Sequence, residues 1–566
     1  MNGEREIYGG DGFGIRGLAA VDVLKGCLEE LNVPVRIYVP GYPITDAVPA
    51  LGEGAWMAIN EKVALEVALG SSASGRRSIV LVKHLGVNLL SDPLAIAPSH
   101  TIGAGLVVLA GEDVGPRGSQ AEMDVRNYGP LCEVPVLEPA SPFLLGSALR
   151  EAYALSEAIR SPAIVRTTFE FGHEARNSPQ ASPPTGADDF AFSEDRGNDG
   201  GSAAMGGAEN LPAPMSIDRQ EDLPGSSGIS AFRPGRGLAA FDRSIWEMTA
   251  KGRHQRHRTE ALPAMMAASS GSSLNFLREG EGELGIIASG RPARIALDLK
   301  MGLSTLVVGF SHPLPWETIR GFVRGHDRIL VVEEPAPFIE GRLQICEEIF
   351  GKLTGHLPWG RMEAKDLARA IEVMASGEGP GSAPKPERFD DRLASKNVCN
   401  DCPFRPVYEA VRDLSVPVAG DAGCSIRAIR DPPAVDVVYG LGSSVAVASG
   451  FGEKGVALIG DYALAHSGLL GLIDSIVHDR DVLVVLLNNG VAAMTGGQSV
   501  PDISPMLEAI GHPRTIDLPA DGALIERVLS EEMKRPGVSL LVARGVCPRF
   551  GRPRFAEGRT RHLPGP

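Results

Sequence analysis

The chain has 566 residues, 43% hydrophobic and 22% charged, with a formal net charge of −15 at pH 7. At roughly 150 residues per domain this length calls for several domains, and the acidic balance opposes non-specific attraction to nucleic acid or anionic lipid. Seven cysteines are too few for a disulfide scaffold, no apolar run reaches the ~18 residues of a membrane span, and the opening MNGEREIYGGDGFG has no apolar signal segment, so a soluble cytoplasmic protein is expected.

Short β-branched runs, each followed by a Gly-containing loop and a helical stretch, recur along the chain. They are RSIVLVKH from Arg77, GLVVLAG from Gly105, LGIIASG from Leu284, RILVVEE from Arg328, GVALIGD from Gly455 and DVLVVLLNN from Asp481. Continuous apolar strands alternating with helices are what parallel sheets need when both faces are covered. The expected class is therefore α/β, with parallel sheets flanked by helices on both faces.

The expected organisation is a first α/β domain at 1–176, a low-complexity linker at 177–235 and a helical connector at 236–280. A smaller middle α/β domain follows at 281–375, then a second linker at 376–395, a C-terminal α/β domain at 396–552 and a tail at 553–566. The first linker, with NSPQASPPTGADDF and EDRGNDGGSAAMGGAEN, has too few large apolar residues to offset the entropy of ordering it. In the connector, the basic cluster of AKGRHQRHRTE reads most simply as a solvated helix face.

The most specific signal is GDYALAHSGLLGLIDSIVHDRDVLVVLLNN, from Gly460 to Asn489. A strand delivers Asp461 to the carboxyl edge of a parallel sheet, a helix crosses over, and the next strand delivers Asn488 and Asn489 beside it. A carboxylate and an amide oxygen then converge, a hard-oxygen set that suits Mg²⁺ with a diphosphate. The segment resembles the thiamine diphosphate motif of decarboxylases and 2-oxoacid oxidoreductases. The resemblance implies a multidomain thiamine diphosphate-binding fold, with Asp461, the Asn489 side chain and the Val491 carbonyl as Mg²⁺ ligands. It also puts Gly423, Gly442, Ser443, Gly460, Tyr462 and Met494 at the cofactor. Tyr462 stands where the motif commonly has Gly.

A thiamine site also needs a buried Glu that hydrogen-bonds the aminopyrimidine ring nitrogen and so activates the cofactor. Glu61, in AINEKVALEVALGSSASGRR, is the candidate, with Glu66 as the competitor on the same helix. The segment resembles the pyrimidine-binding domain of 2-oxoacid ferredoxin oxidoreductases. In KHLGVNLLSDPL, Lys83, His84 and Asn88 are expected in a loop at the sheet edge, His84 meeting the substrate carboxylate or relaying a proton. Ser119, Gln120, Asp124 and Arg126 belong to a polar post-strand loop whose individual roles the sequence does not assign.

Four cysteines are placed to gather in the C-terminal domain: Cys399 and Cys402 as CxxC in VCNDCPFR, Cys424 at the end of GDAGC, and Cys547 after the strand VSLLVAR. Four thiolates suit a [4Fe-4S] cluster or structural Zn²⁺, and spacing alone does not separate the two. Cys27, Cys132 and Cys346 are scattered and read as small buried hydrophobes.

In that order, CxxCP, GDxGC, the GD to NN motif and the terminal Cys are similar to the cofactor domain of 2-oxoacid ferredoxin oxidoreductases. NEKVALEVA, SQAEMD, PAIVRTT, GELGIIASG, ILVVEEP and AAMTGG extend the resemblance along nearly the whole chain outside the linkers. Taken together these segments resemble large (alpha) subunits of the indolepyruvate ferredoxin oxidoreductases. The resemblance implies oxidative decarboxylation of an aryl 2-oxoacid to acyl-CoA, CO₂ and reduced ferredoxin. It implies thiamine diphosphate, Mg²⁺ and one [4Fe-4S] cluster on Cys399, Cys402, Cys424 and Cys547, with coenzyme A as co-substrate.

This sequence departs from the family pattern at Phe404, where His is common, and at Asn400 and Asp401 inside the CxxC. The ferredoxin-like domain that usually ends such subunits is also not found after Cys547. A small second oxidoreductase subunit and a separate ferredoxin or ferredoxin-like subunit are therefore expected as partners. Two rival readings are a non-oxidative thiamine-dependent decarboxylase and a non-catalytic subunit.

Overall fold

The computed structural model describes residues 20–100, 102–116, 119–169, 171, 250–343, 348–376 and 397–551. The expected first linker, the second linker beyond residue 376, the tail and Cys346 lie outside the described residues.

Among the described residues nineteen strands are named in chain order. In the N-terminal part these are β1 (Val35–Tyr38), β2 (Trp56–Met57), β3 (Ser78–Lys83), β4 (Leu106–Gly111), β5 (Val136–Leu137) and β6 (Ala163–Thr167). Then come β7 (Phe276–Arg278), β8 (Leu284–Ala288), β9 (Thr305–Val307), β10 (Phe310–His312), β11 (Arg328–Val332) and β12 (Ile349–Phe350). The C-terminal strands are β13 (Val418–Ala419), β14 (Gly455–Gly460), β15 (Val482–Asn488), β16 (Val491–Ala492), β17 (Gln498–Ser499), β18 (Arg514–Asp517) and β19 (Val538–Arg544).

They form a seven-stranded sheet in the order β10-β5-β6-β4-β3-β1-β2 and two five-stranded sheets, β12-β11-β8-β9-β7 and β13-β14-β15-β19-β18, with a small hairpin of β16 and β17. The strands run parallel through β1, β3, β4, β6 and β5, and β10 joins antiparallel to β5. The middle sheet is parallel except for β7 against β9, and the C-terminal sheet is parallel throughout. The chain is thus of the expected α/β class. No helix among the described residues is long and apolar enough to cross a membrane.

The strand sequences explain this architecture. In β14, Val456 and Leu458 join a core with Tyr408 and Val411 of the helix Arg405–Asp413 and Ile525 and Val528 of the helix Gly522–Met533. The alternate residues Ala457 and Ile459 join a second core with Val445 and Ala448 of the helix Ser444–Ser449 and Leu472 of the helix Leu469–Val477. Successive side chains point to opposite faces, so a strand covered by helices on both sides must be apolar at every position.

The residues cluster into two compact units. One holds the segments up to Tyr38, Asp46–Trp56 and Ala64–Ala383; the other holds Val39–Thr45, Met57–Val63 and the chain from Pro384 onward. The first carries both the seven-stranded sheet and the middle sheet. The second carries the C-terminal sheet and, from the N-terminal part of the chain, the short segment that contains Glu61.

One expectation needs correction here. Lys83 ends β3 and a helix, His84–His100, begins at once where the sequence reading puts a loop. Val87, Leu90, Leu94 and Ala97 recur at helical spacing and are buried. That apolar stripe outweighs the loop signals of Gly86 and Pro93.

Arg126 and Arg166, both fully buried, organise the first unit. Arg126 pairs with Asp124 at 2.6 Å and Glu333 at 2.7 Å. Arg166, in β6, pairs with Glu112 and Glu138 and donates to the Glu334 carbonyl at 2.7 Å. Glu112, Glu138 and Glu333 directly follow β4, β5 and β11, so carboxylates at the carboxyl ends of strands in two sheets share two guanidinium groups. Burial pushes Glu112 up to about 8 although Arg166 opposes the shift. Removing one partner of such a set strands the other's charge away from water.

Arg166→Met should therefore lower unfolding stability by about 3–5 kcal/mol, seen as a drop in the denaturant midpoint. A second prediction concerns pH. Burial, with Arg342 nearby, holds His312 down at about 4, so the unfolded chain binds its proton first as acid is added. Stability is full above about pH 6.5 and is lost as pH falls towards 4. In His312→Gln this part of the acid dependence of the thermal midpoint should vanish.

Candidate functional site

All strands of the C-terminal sheet are parallel, so their carboxyl ends open at one edge, where ligand sites of such sheets form. Asp421 follows β13 by one residue beyond Gly420, Asp461 follows β14, and Asn489 follows β15. Both aspartates are buried.

Asp461 accepts the backbone N–H of Tyr462 at 2.8 Å, of Asn489 at 3.0 Å and of Gly490 at 2.5 Å. It thereby ties the start of the helix after β14 to the turn after β15. Burial nevertheless pushes its carboxyl up to about 6, against those hydrogen bonds. Asp421 accepts from Gly442 N at 2.5 Å and from Ser444 N at 3.2 Å and Oγ at 2.8 Å, and burial raises it as well. Asn489 Oδ1 accepts Val491 N at 2.9 Å.

Gly442 has a φ of +84°, and a Cβ there would overlap Ser467 Oγ and come within 2.7 Å of Gly468 N. Only glycine fits. By contrast, a Cβ on Gly423, Gly440 or Gly460 would meet nothing within 4 Å, so there is room beside the aspartate loops. Ser443 Oγ donates to Gly440 O at 3.0 Å, Tyr462 is buried with its ring edge-on to His466, and Met494 is half exposed. The donors of Asp461, Asn489 and the Val491 carbonyl are all hard oxygen. With open space along the glycines, they fit a divalent cation carrying a diphosphate.

Glu61 opens the helix Glu61–Ala73 because Asn60 caps it: Asn60 Oδ1 accepts Val63 N at 2.8 Å. The Asn60 amide donates its other end to the His466 carbonyl at 2.7 Å. Glu61 Oε2 lies 2.8 Å from His466 Nε2, and both side chains are buried. The structure thus brings Glu61 onto the helix that begins at Asp461, within one compact unit. His466 and Asn60 escape the sequence reading. The only available signals were an Asn directly before a helical run and a His five residues beyond Asp461 in a segment already singled out.

His84 belongs to the other unit and is fully buried. Its Nδ1 accepts Asp113 N at 3.3 Å and its Nε2 meets Ala121 O at 3.0 Å, so both ring nitrogens are taken by main chain. Burial lowers its pKa and keeps it neutral near pH 7. Asp124 and Arg126 belong to the buried ion network described above.

Among the thiols, Cys399 and Cys402 share a tight turn closed by Cys402 N to Cys399 O at 3.1 Å. Gly545, just past β19, lies against Pro403 and Phe404, which brings the chain leading to Cys547 beside that turn. Burial raises Cys402, with Cys399 and Cys547 adding to the shift. Cys424 is pushed up to about 11, first by burial; Arg427 opposes this and the other three thiols reinforce it. Arg427 Nη1 is 3.8 Å from Cys399 Sγ. The four thiols therefore share one electrostatic neighbourhood with one guanidinium. Among the described residues no group of three or more His, Cys, Asp or Glu side chains is placed to hold a metal ion.

Residues 426–523 match the family model of the C-terminal, thiamine pyrophosphate-binding domain of thiamine pyrophosphate enzymes. The indolepyruvate oxidoreductase subunit IorA of Methanothermobacter marburgensis is 30% identical, over 84% of this chain and 75% of its own. The protein of the same name from Methanothermobacter thermautotrophicus is 29% identical over the same shares. That from Pyrococcus abyssi is 26% identical over 93% of this chain and 84% of its own.

Gly442→Ala should cost about 1–3 kcal/mol, from the strained φ and the displaced helical segment at Ser467–Gly468. Denaturant unfolding of the variant against Gly423→Ala, which has room for its methyl, checks this.

Proposed function

Because the chain belongs to the family of indolepyruvate oxidoreductase subunit IorA, within the thiamine diphosphate-dependent 2-oxoacid ferredoxin oxidoreductases, we propose that it catalyses the oxidative decarboxylation of an aryl 2-oxoacid such as indolepyruvate. The products are acyl-CoA, CO₂ and reduced ferredoxin. The observation that carries this reading is the placement of Glu61: a buried carboxyl from the N-terminal chain meets the helix that begins at Asp461, in the unit that holds the matched domain.

In this reading Asp461, Asn489 and the Val491 carbonyl hold Mg²⁺ and through it the diphosphate. Gly423, Gly442, Ser443, Gly460, Tyr462 and Met494 line the cofactor. Bound thiamine diphosphate supplies a carbon nucleophile and an electron sink for loss of CO₂. Glu61 donates a hydrogen bond to the aminopyrimidine ring nitrogen and holds the ring for activation. Burial excludes water from that contact, which strengthens it.

His84, with its main-chain bonds, orients the strand-to-helix turn at the end of β3 and faces the substrate only by giving one of them up. By the family resemblance Cys399, Cys402, Cys424 and Cys547, drawn together from the arrangement described above, would hold one [4Fe-4S] cluster that supplies an electron outlet, and the Arg427 guanidinium beside Cys399 would offset part of its negative charge. A small partner subunit and a ferredoxin or ferredoxin-like subunit complete the path.

The test is viologen-linked, coenzyme A-dependent oxidation of indolepyruvate by protein purified without oxygen, together with its partner subunit. Glu61→Gln should lose about 10²-fold or more in rate, while Cys424→Ser should lose its iron and its viologen reduction together. Aldehyde formed without acyl-CoA would replace this reading with a non-oxidative decarboxylase.

A further inference from the structure

The hydrogen bonds around His466 account for a proton. Ser467 Oγ lies 2.7 Å from the Leu441 carbonyl and 3.0 Å from His466 Nδ1. A carbonyl oxygen only accepts, so the single hydroxyl hydrogen of Ser467 is directed to Leu441 O. Were it turned to the imidazole, two oxygens would face each other at 2.7 Å with no proton between them. Ser467 Oγ is then left as an acceptor, and Nδ1 must carry the hydrogen that it accepts.

With Nδ1 protonated, a neutral imidazole has its lone pair on Nε2, and Nε2 faces Glu61 Oε2 at 2.8 Å. An unprotonated Nε2 opposite an ionised carboxylate would be repulsive at that distance. One more proton therefore lies between them, either on the carboxyl donating to Nε2 or on the imidazole donating to the carboxylate. Both side chains are only 6% exposed, so water does not readily supply or remove it. Asn60, by holding the His466 carbonyl, fixes the backbone from which the ring hangs.

We propose that Leu441 O, Ser467, His466 and Glu61 form a hydrogen-bonded chain that keeps one proton stored on the Glu61–His466 pair for delivery to the ring nitrogen of a bound aminopyrimidine. The inference rests on the thiamine reading of the site and adds to it a source for the proton that Glu61 must present. The balance is simple. Before binding, the pair holds one proton beyond the Nδ1 hydrogen. Afterwards that proton lies in the bond between the Glu61 carboxyl and the pyrimidine nitrogen, the carboxyl having turned from Nε2 to the cofactor, and His466 stays behind neutral with Nδ1 still bonded to Ser467. No proton need come from solvent. His466 is a positioning residue here, acting through Glu61.

The test is calorimetry of thiamine diphosphate with Mg²⁺ titrated into the full chain in two buffers of different ionisation enthalpy, which counts protons taken up on binding. His466→Gln keeps a hydrogen-bond donor opposite Glu61 but stores no proton, so its carboxyl must draw one from solvent as the cofactor docks. It should take up about one more proton per cofactor bound than the unaltered protein. Ser467→Ala leaves the imidazole in place and releases its tautomer, and its count should lie between the two.

Equal proton counts in the unaltered protein and His466→Gln would overturn the stored proton while leaving the thiamine site standing. If His466→Gln does not fold, Ser467→Ala decides alone: a count above that of the unaltered protein supports the chain, and an equal count overturns it. Failure of the unaltered protein to bind the cofactor at all would remove the site reading and the stored proton together.

Discussion

A parallel sheet covered on both faces sends every strand's carboxyl end to one edge, and the turns there carry backbone N–H groups that the sheet does not satisfy. In the C-terminal unit two buried aspartates meet that demand. Asp461 takes three N–H groups, from the start of the helix after β14 and the turn after β15, and Asp421 takes those of Gly442 and Ser444. The loops that surround the site have their shape because these carboxyls hold them. Gly442, with no room for a side chain, lets its loop come close enough to be held.

The first unit handles the same edge differently. There the carboxylates after β4, β5 and β11 are matched by the guanidinium groups of Arg126 and Arg166 from within the unit. A charge set closed in this way is structural: it joins two sheets and has no need of a ligand. Asp461 has backbone N–H partners in place of a guanidinium, and burial holds it at about 6. A carboxyl in that state gains from a cation, which is why hard-oxygen donors beside open glycines read as a site and the arginine network does not.

Several features were legible because they are local. The GD to NN segment spells out a strand, a crossover helix and a strand, and each is where its apolar run puts it. The α/β class followed from strands apolar at every position. The strand-to-helix passage at His84 was misread because Gly86 and Pro93 are local breakers, while the burial of Val87, Leu90 and Leu94 that overrides them is a tertiary effect. Asp124 and Arg126 were visible as a polar loop and pair with each other, yet the further partners of Arg126, the Glu333 carboxylate and the Glu334 carbonyl, lie some two hundred residues on, and nothing near Arg126 in the chain announces them.

The amino-acid sequence by itself determined the alternation of strands and helices, the oxygen donors after β14 and β15, the presence of a candidate acid at Glu61 and the order of the four thiols. These depend on side-chain chemistry and on spacings of a few residues. Only the tertiary structure decided that Glu61 groups with the C-terminal unit and meets His466, 405 residues away, and that Ser467 and Leu441 dictate which imidazole nitrogen carries a proton. Hydrogen-bond direction depends on which donors and acceptors face each other in space. Pairings across such distances in the chain are settled by the packing of whole sheets and helices, and no local pattern encodes them.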